Sequence, residues 1–274
     1  MLTKKTLILF LGIVSLAFIL GCLGGGLSLS PEQIRANTLT AIRDVNSYAF
    51  NLETFTVAEL PDLPNPLNAT LRVKAWGIVN MKRRSSKMEM QLLNPPDLPN
   101  FPTSEEEANL TLYLLNDTIY VKVQNTWMRQ RVPNPDEVWE RQNQALQQVE
   151  LMRGAKITLE DEEKIGGRRA YVLLVEPDKL KALNYLIDQS YASNLKTLTP
   201  QQLGNLSKRI KEFKMKMWID SEEFLPLRVK THIKLESKAS MMESEVKIEF
   251  HDYNAKHKIT LPEEAYNQSV ELIV

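Results

Sequence analysis

The chain has 274 residues, a formal net charge of zero from 34 basic and 34 acidic side chains, and a single cysteine. The balanced charge gives no indication of a nucleic-acid partner, and a lone cysteine excludes an internal disulfide. Packing alone must therefore hold the fold, and this length suffices for one large domain or two small ones.

The start of the chain has the order of a lipoprotein leader. A charged "MLTKK" precedes the apolar stretch "TLILFLGIVSLAFIL", which is shorter than the roughly 20 residues that span a bilayer comfortably. Ile19-Leu20-Gly21 before Cys22 resembles a lipobox, the motif of precursors whose cysteine thiol receives a lipid. We predict a signal peptide over residues 1–21, lipidation of Cys22 and a flexible tether over residues 22–29. The alternative is a chance cysteine at the end of a signal anchor.

This leader predicts an extracytoplasmic protein, anchored to the outer face of the cell membrane by its lipidated cysteine. Five Asn-x-Ser/Thr sequons favour a glycosylated surface on that side of the membrane, although a chance occurrence stays open. The acceptor residues are Asn68, Asn109, Asn116, Asn205 and Asn267.

The first element after the tether is a helix. Ser30 is placed as its N-cap, Pro31 at its first position, and Gln33 where it closes a capping box. The hydrophobic period then changes from helical to two, which predicts antiparallel strands with one buried face. Asn116-Asp117 predicts a hairpin turn between the last two of these. The five strands are Tyr48–Val57, Thr70–Asn80, Ser86–Leu93, Leu110–Leu115 and Thr118–Gln124.

The middle of the chain returns to helices. "NPDEVWERQNQALQQVELMRG" predicts one helix that ends at Gly154, and a hairpin follows with its turn at Gly166-Gly167. Two more helices are predicted over Asp178–Tyr191 and Pro200–Lys211. The last third is predicted as strands, which are "FKMKMWID", "LPLRVKTHIKLES", "SEVKIEFHDYN" and "HKITLPEE".

This order predicts an α+β fold, a single domain over residues 30–274. The expected architecture is a large curled antiparallel sheet, a half-barrel of nine to eleven strands. An N-terminal helix and inserted helices are expected to cover its concave face.

Two blocks, "MKMWIDSEEFLPLRVK" and "FHDYNAKHKITLPEEA", resemble the LolA/LppX-like family of lipoprotein-sorting and lipid-binding proteins. The matching residues are Trp218, Asp220, Leu225, Pro226 and Arg228 in the first block and Tyr253, Asn254 and Leu261–Ala265 in the second. The resemblance implies a half-barrel of about eleven antiparallel strands, closed by helices, whose apolar cavity holds an acyl chain or a lipid.

The chain shows no pattern typical of an enzyme, and neither a metal nor a cofactor is expected. There is no HExxH, CxxC or GxSxG motif, and the three histidines have no metal-ligand spacing. Adjacent His251 and Asp252 are expected on opposite faces of a strand, so they would not act together.

Methionines at strand spacing mark the candidate ligand cavity, because flexible thioethers suit irregular apolar ligands. Plain core packing is the alternative for all of them. The candidate residues are Met88, Met90 and Leu92 on one strand, Met215, Met217 and Ile219 on another, and Trp139 in the middle helix.

These features predict a membrane-anchored surface lipoprotein that binds a hydrophobic ligand, such as a lipid or lipid-linked molecule, without catalysis. The competing hypothesis is an interaction or sensor module that uses the same fold, with a filled cavity, to bind an envelope protein partner.

Overall fold

The computed structural model describes residues 29–60, 67–93, 108–123, 125–189, 198–237 and 240–271. The predicted signal peptide, Cys22 and all of the tether except Leu29 lie outside these residues.

Helix α1 spans Pro31–Ala41 and is followed by a 3-10 turn over Ile42–Asp44. The predicted capping box is confirmed, since Ser30 Oγ accepts the Gln33 N–H at 3.2 Å and Gln33 Oε1 accepts the Ser30 N–H at 2.8 Å. Ile34 lies on the buried side of this helix.

Twelve strands form one open sheet in the described residues, one more than the predicted nine to eleven. The predicted mostly antiparallel half-barrel is confirmed. The strand order is β12-β6-β5-β4-β3-β2-β1-β11-β10-β9-β8-β7, and within the described ranges only β12 and β6 pair in parallel. The strands are β1 (Ser47–Leu60), β2 (Leu67–Asn80), β3 (Ser85–Leu93), β4 (Ala108–Leu115), β5 (Thr118–Val123), β6 (Thr126–Arg131), β7 (Lys156–Ile165), β8 (Arg168–Glu176), β9 (Ile210–Asp220), β10 (Pro226–Glu236), β11 (Met241–His251) and β12 (Val270–Glu271).

The middle segment contains two helices where the sequence predicts one. Helix α2 spans Pro135–Gln142 and α3 spans Gln144–Glu150, with Asn143 between them at ψ 69°. The Asn143 side chain accepts the Leu146 N–H at 3.2 Å and so caps α3. A side chain that competes for backbone hydrogen bonds therefore divides the predicted helix.

Two further helices follow the confirmed β7–β8 hairpin. Helix α4 spans Lys179–Gln189, and α5 spans Pro200–Ser207. The second is shorter than predicted because Ile210, which lies in the predicted helix, begins β9 and is buried in the core.

The prediction of a strand at "HKITLPEE" is wrong. Residues 257–262 have no regular structure, and α6 spans Glu263–Gln268. Ile259 and Leu261 pack beside buried Trp127, so their alternation reflects a segment that lies against the sheet without joining it. Strands β6 and β12 were not predicted.

The helices α1 to α5 pack on one face of the sheet, which we call the inner face. They and the adjoining strands bury one continuous apolar core. Two smaller clusters lie on the opposite, outer face, one around Trp218 on β9 and one where α6 and its preceding segment cover Trp127 on β6.

Candidate functional site

The two methionine sets that the sequence marks lie on the same, inner face of the sheet. Side chains directly opposite each other in an antiparallel ladder point to one face. The ladder pairs Met90 with Ala75 and Ala75 with Leu52, and it continues through β11 and β10 to Met217 on β9. Met90 and Met217 therefore stand in one row that crosses six strands.

The β9 end of this row is filled. Met215, Met217 and Ile219 are each 0% exposed and belong to the core that the helices cover. Trp139 on α2 is also buried, but beside the β4–β5 turn, where its indole N–H donates to the carbonyl of Asn116 at 2.6 Å. Met215, Met217 and Ile219 therefore pack as core side chains and leave no exposed surface for a ligand, and Trp139 is 3% exposed.

The other end of the inner face is open among the described residues. Met90 is only partly buried, Leu92 is buried, and Met88 lies at the edge of the core. The described helices contact mainly β7, β9 and β10 on this face. Val79 on β2 and Leu114 on β4 are also buried in the core, but other apolar side chains of β2 to β6 stay partly exposed. We call this set the open apolar face: Leu71, Val73, Met90, Leu110, Leu112, Val121, Val123 and Met128.

Seven of these eight residues are not among the ligand-cavity candidates that the sequence marks, which include only Met90 of this set. The signal was present, because Leu110 and Leu112 alternate with polar residues on a predicted strand, as do Val121 and Val123 on the next. Alternation locates a buried face but cannot say which part of that face a helix will cover.

Gly77 lies on β2, directly opposite Phe50 on β1. The Phe50 ring lies over it, so that a Cβ on Gly77 would come within 2.7 Å of the ring and 2.8 Å of the Lys87 carbonyl oxygen. Phe50 is also the pairing partner of both Gly77 and Phe250. Absence of a side chain at this position lets the aromatic ring rest on the sheet.

Hydrogen bonds of Tyr48, Tyr253 and Asn254 stabilise the start of β1 and its neighbours. Burial raises the pKa of Tyr48, whose hydroxyl donates to the Gln142 carbonyl at 3.1 Å. The buried Tyr253 hydroxyl donates to the Pro226 carbonyl at 2.7 Å, and desolvation holds its pKa well above the usual value. Asn254 Oδ1 accepts the Asn46 N–H at 2.7 Å. Tyr253 and Asn254 thus have a structural role.

The other resembling block forms a tight turn after β9. The carboxylate of buried Asp220 accepts the N–H groups of Glu222 and Glu223 at 2.9 and 2.7 Å and pairs with Arg168 at 2.8 Å. Phe224 has a φ of 56°, which closes the turn. The sequence pattern that carries the resemblance is therefore explained by local folding requirements.

Histidine and carboxylate groups do not form a reactive cluster on the open apolar face. His251 does contact Asp252, at 2.9 Å, contrary to expectation, because Asp252 has a φ of 53° and leaves the strand. Both side chains are about half exposed on the surface. Within the described ranges, no group of three or more His, Cys, Asp or Glu side chains could hold a metal ion.

All five sequon asparagines are exposed. They lie on β2, β4, the β4–β5 turn, α5 and α6, and each side chain is open to solvent. Among the described residues, no helix is both long enough and apolar enough to cross a membrane.

The sequence matches the model of one protein family. The model of DUF6612, a family of unknown function, matches residues 30–270, which is most of the chain. No curated protein matches the sequence.

Solved structures of similar fold include two proteins of mycobacteria. LprF from Mycobacterium bovis has 14% identity and a TM-score of 0.48, with 86% of this chain and 99% of that chain covered. Lipoprotein LppX from Mycobacterium tuberculosis has 13% identity and a TM-score of 0.47, covering 84% of this chain and 100% of that chain. An outer membrane lipoprotein-sorting protein domain from Vibrio parahaemolyticus has 11% identity and a TM-score of 0.24, covering 85% of this chain and 94% of that chain. The resemblance to a LolA/LppX-like fold is confirmed, and at these values the likeness says nothing about a ligand.

Proposed function

We propose that this chain, which belongs to the DUF6612 family, is an extracytoplasmic lipoprotein that binds a hydrophobic ligand on its open apolar face without chemically changing it. The ligand class is a lipid or another molecule with an acyl chain. The observation that carries this proposal is the division of the inner face into a filled part and an open apolar part.

The open apolar face is large enough to matter energetically. Its eight residues extend over five neighbouring strands, which are spaced about 4.8 Å apart. An acyl chain that hides roughly 300 Å² of apolar surface there would contribute about 7 kcal/mol before the ordering costs of binding. Micromolar affinity needs about 8 kcal/mol net. With ordering costs of about 4 kcal/mol or more, the ligand must hide about 500 Å² or more of apolar surface to reach it.

The chemistry of the open apolar face supports binding rather than reaction. Its side chains are those of Leu, Val and Met, which offer neither a nucleophile nor a general acid or base. The tyrosines with raised pKa, Tyr48, Tyr185 and Tyr253, each donate or accept a hydrogen bond inside the core or at its helices. Their shifts follow from burial.

A charge placed in the open apolar face tests the proposal. Leu112→Asp puts a carboxylate among the ligand-binding side chains, whereas Thr111→Asp puts the same charge on the next residue of β4, which points to the outer face. We expect native mass spectrometry of protein expressed in a lipid-containing host to show a bound lipid in the wild type and in T111D, and none in L112D. Thermal unfolding checks that both variants are folded.

Two results would overturn this assignment. One is a wild-type protein that carries no lipid and does not bind a fluorescent fatty acid in solution. The other is an L112D variant that is folded and binds that probe as tightly as T111D does.

The membrane anchor is a separate part of the proposal. Cys22, outside the described residues, would carry the lipid, and the tether would let the domain reach the membrane surface. Cys22→Ser should move the protein from the membrane fraction to the soluble fraction. Retention in the membrane would instead mean that the apolar N-terminus stays uncut. Exposure of the five sequon asparagines supports glycosylation at Asn68, Asn109, Asn116, Asn205 and Asn267, which a mass shift after deglycosylation would detect.

A second candidate function is supported by the filled part of the inner face. With Met215, Met217, Ile219 and Trp139 packed as core, the domain could use its open apolar face to bind an apolar segment of an envelope protein. Crosslinking in intact cells separates the two functions. A partner would be crosslinked through residues near Leu112 and would be lost in L112D, while the purified protein would carry no lipid.

A further inference from the structure

A basic groove crosses the outer face of the sheet, on the side opposite to the open apolar face. It has a volume of about 610 Å³ and runs at right angles to the strands, with walls from β1, β2 and β8 to β11 and an end at Leu93 of β3. Two carboxylates and one imidazole also line it, from Glu53, Glu245 and His232. Six basic side chains outnumber them, from Arg72, Lys74, Lys214, Lys216, Lys230 and Lys247.

Three of these lysines form a ladder across adjacent strands. Lys230 on β10 is directly opposite Lys247 on β11 and directly opposite Lys216 on β9. Since neighbouring strands are about 4.8 Å apart, three positive charges arise from backbone positions within about 10 Å. Like charges directly opposite one another destabilise a sheet, so packing alone does not explain this arrangement.

Among the described residues, only the outer members of the lysine ladder contact a carboxylate, and Lys247 shares its carboxylate with Arg228. Lys216 pairs with Glu160 at 2.9 Å and Lys247 pairs with Glu249 at 3.1 Å. Lys230 forms no ion pair within the part of the chain that the structure describes, and its ammonium lies 5.8 Å from the Trp218 ring centroid. The centre of the ladder therefore holds an uncompensated charge that faces the groove.

We propose that this groove binds an anionic ligand that carries phosphate groups. A phosphate monoester carries a charge near −2 and would offset the repulsion within the lysine ladder, and lysine binds phosphate well as a point charge. The groove volume lies in the range of small-ligand sites. Phe55, Leu93 and Leu174 provide apolar wall for the rest of the ligand. The site is independent of the hydrophobic ligand, because it uses the other face of the sheet.

Lys230→Gln is the variant that isolates the ladder, because it removes a positive charge without leaving a carboxylate unpaired. Lys82→Gln is the matched control, since Lys82 is an exposed lysine in the β2–β3 turn and outside the groove. Calorimetric titration with inorganic tripolyphosphate measures binding of a free phosphate ligand. Flotation with phosphatidylcholine vesicles, with and without phosphatidylglycerol, measures binding of a lipid phosphate. Binding in either experiment supports the site. Binding of tripolyphosphate indicates a free phosphate ligand, and binding of vesicles that contain phosphatidylglycerol indicates a lipid phosphate.

We expect K230Q to weaken binding about tenfold, which is about 1.4 kcal/mol, and K82Q to leave it unchanged. Binding should also weaken when the ionic strength rises from about 0.15 M to 1 M, as the Debye length shortens from about 8 to 3 Å. Without ligand, K230Q should unfold about 1–3 °C higher than the wild type, because the repulsion is relieved. Absence of binding in both arms, or equal binding by K230Q and K82Q, would overturn the proposal. A K230Q melting temperature no higher than that of the wild type would contradict its premise of repulsion.

Discussion

The division of the inner face into filled and open parts predicts opposite effects for two methionines in one row. Met217 is 0% exposed in the core, whereas Met90 is partly exposed on the open apolar face. Truncation to alanine removes the same three heavy atoms in both cases. We therefore compare Met217→Ala with Met90→Ala.

The expected magnitudes follow from burial. Met217→Ala leaves a cavity in a packed core, and such truncations cost about 2–5 kcal/mol of the free energy of unfolding. For a domain of this size, that lowers the melting temperature by roughly 4–20 °C. Met90→Ala removes contacts on one side only, and we expect a loss below about 1 kcal/mol together with weaker binding of a fatty-acid probe.

Urea unfolding at 25 °C, followed by tryptophan fluorescence and far-UV circular dichroism, measures both losses. The slope of the free energy of unfolding against urea should be unchanged, which shows that the variants unfold from the same compact state. A Met90→Ala variant that loses as much stability as Met217→Ala would refute the reasoning, because the open apolar face would then be packed in solution. A Met217→Ala variant of nearly wild-type stability would refute the filled core.

Gly77→Ala should lower the free energy of unfolding by about 1–3 kcal/mol in urea titrations, because the new Cβ meets the Phe50 ring at 2.7 Å. Gly204→Ala is the control, because Gly204 lies in helix α5 with open space where its Cβ would be. This control should be neutral or should stabilise the protein by up to about 1 kcal/mol. An equal loss in both variants would contradict the close approach. Alkaline pH should also destabilise the fold, because burial raises the pKa of Tyr48 and Tyr253 above the ordinary value near 10 and the unfolded chain ionises first. Above pH 10, each of these two tyrosines should lower the free energy of unfolding by up to about 1.4 kcal/mol per pH unit, and Tyr48→Phe should remove one of the two contributions. If the free energy of unfolding falls with pH equally steeply in Tyr48→Phe and the wild type, Tyr48 ionises in the folded protein.

Local signals in the sequence were sufficient where local interactions decide the structure. The capping box of Ser30 and Gln33, the turn at Asn116-Asp117 and the glycine pair at Gly166-Gly167 depend on residues a few positions apart, and all three occur as predicted. The turn motif around Asp220 likewise satisfies its own backbone N–H groups.

Local signals failed where a competing contact came from elsewhere. Nothing in the hydrophobic period around Asn143 shows that its side chain will cap a new helix, and the alternation of Ile259 and Leu261 is the same whether a segment pairs in a sheet or packs on it. The Lys216–Lys230–Lys247 ladder arises from three strands, so only their register brings the charges together.

The sequence by itself determined that long alternating strands form a sheet with one apolar face, because side chains on a strand alternate strictly between its two sides. It also placed Met90 and Met217 on an apolar face of their strands. Only the tertiary structure decided that helices bury Met217 and leave Met90 partly exposed, since the path of the helices over the sheet depends on contacts between residues far apart in the chain. The candidate site is the part of the apolar face that this packing leaves uncovered.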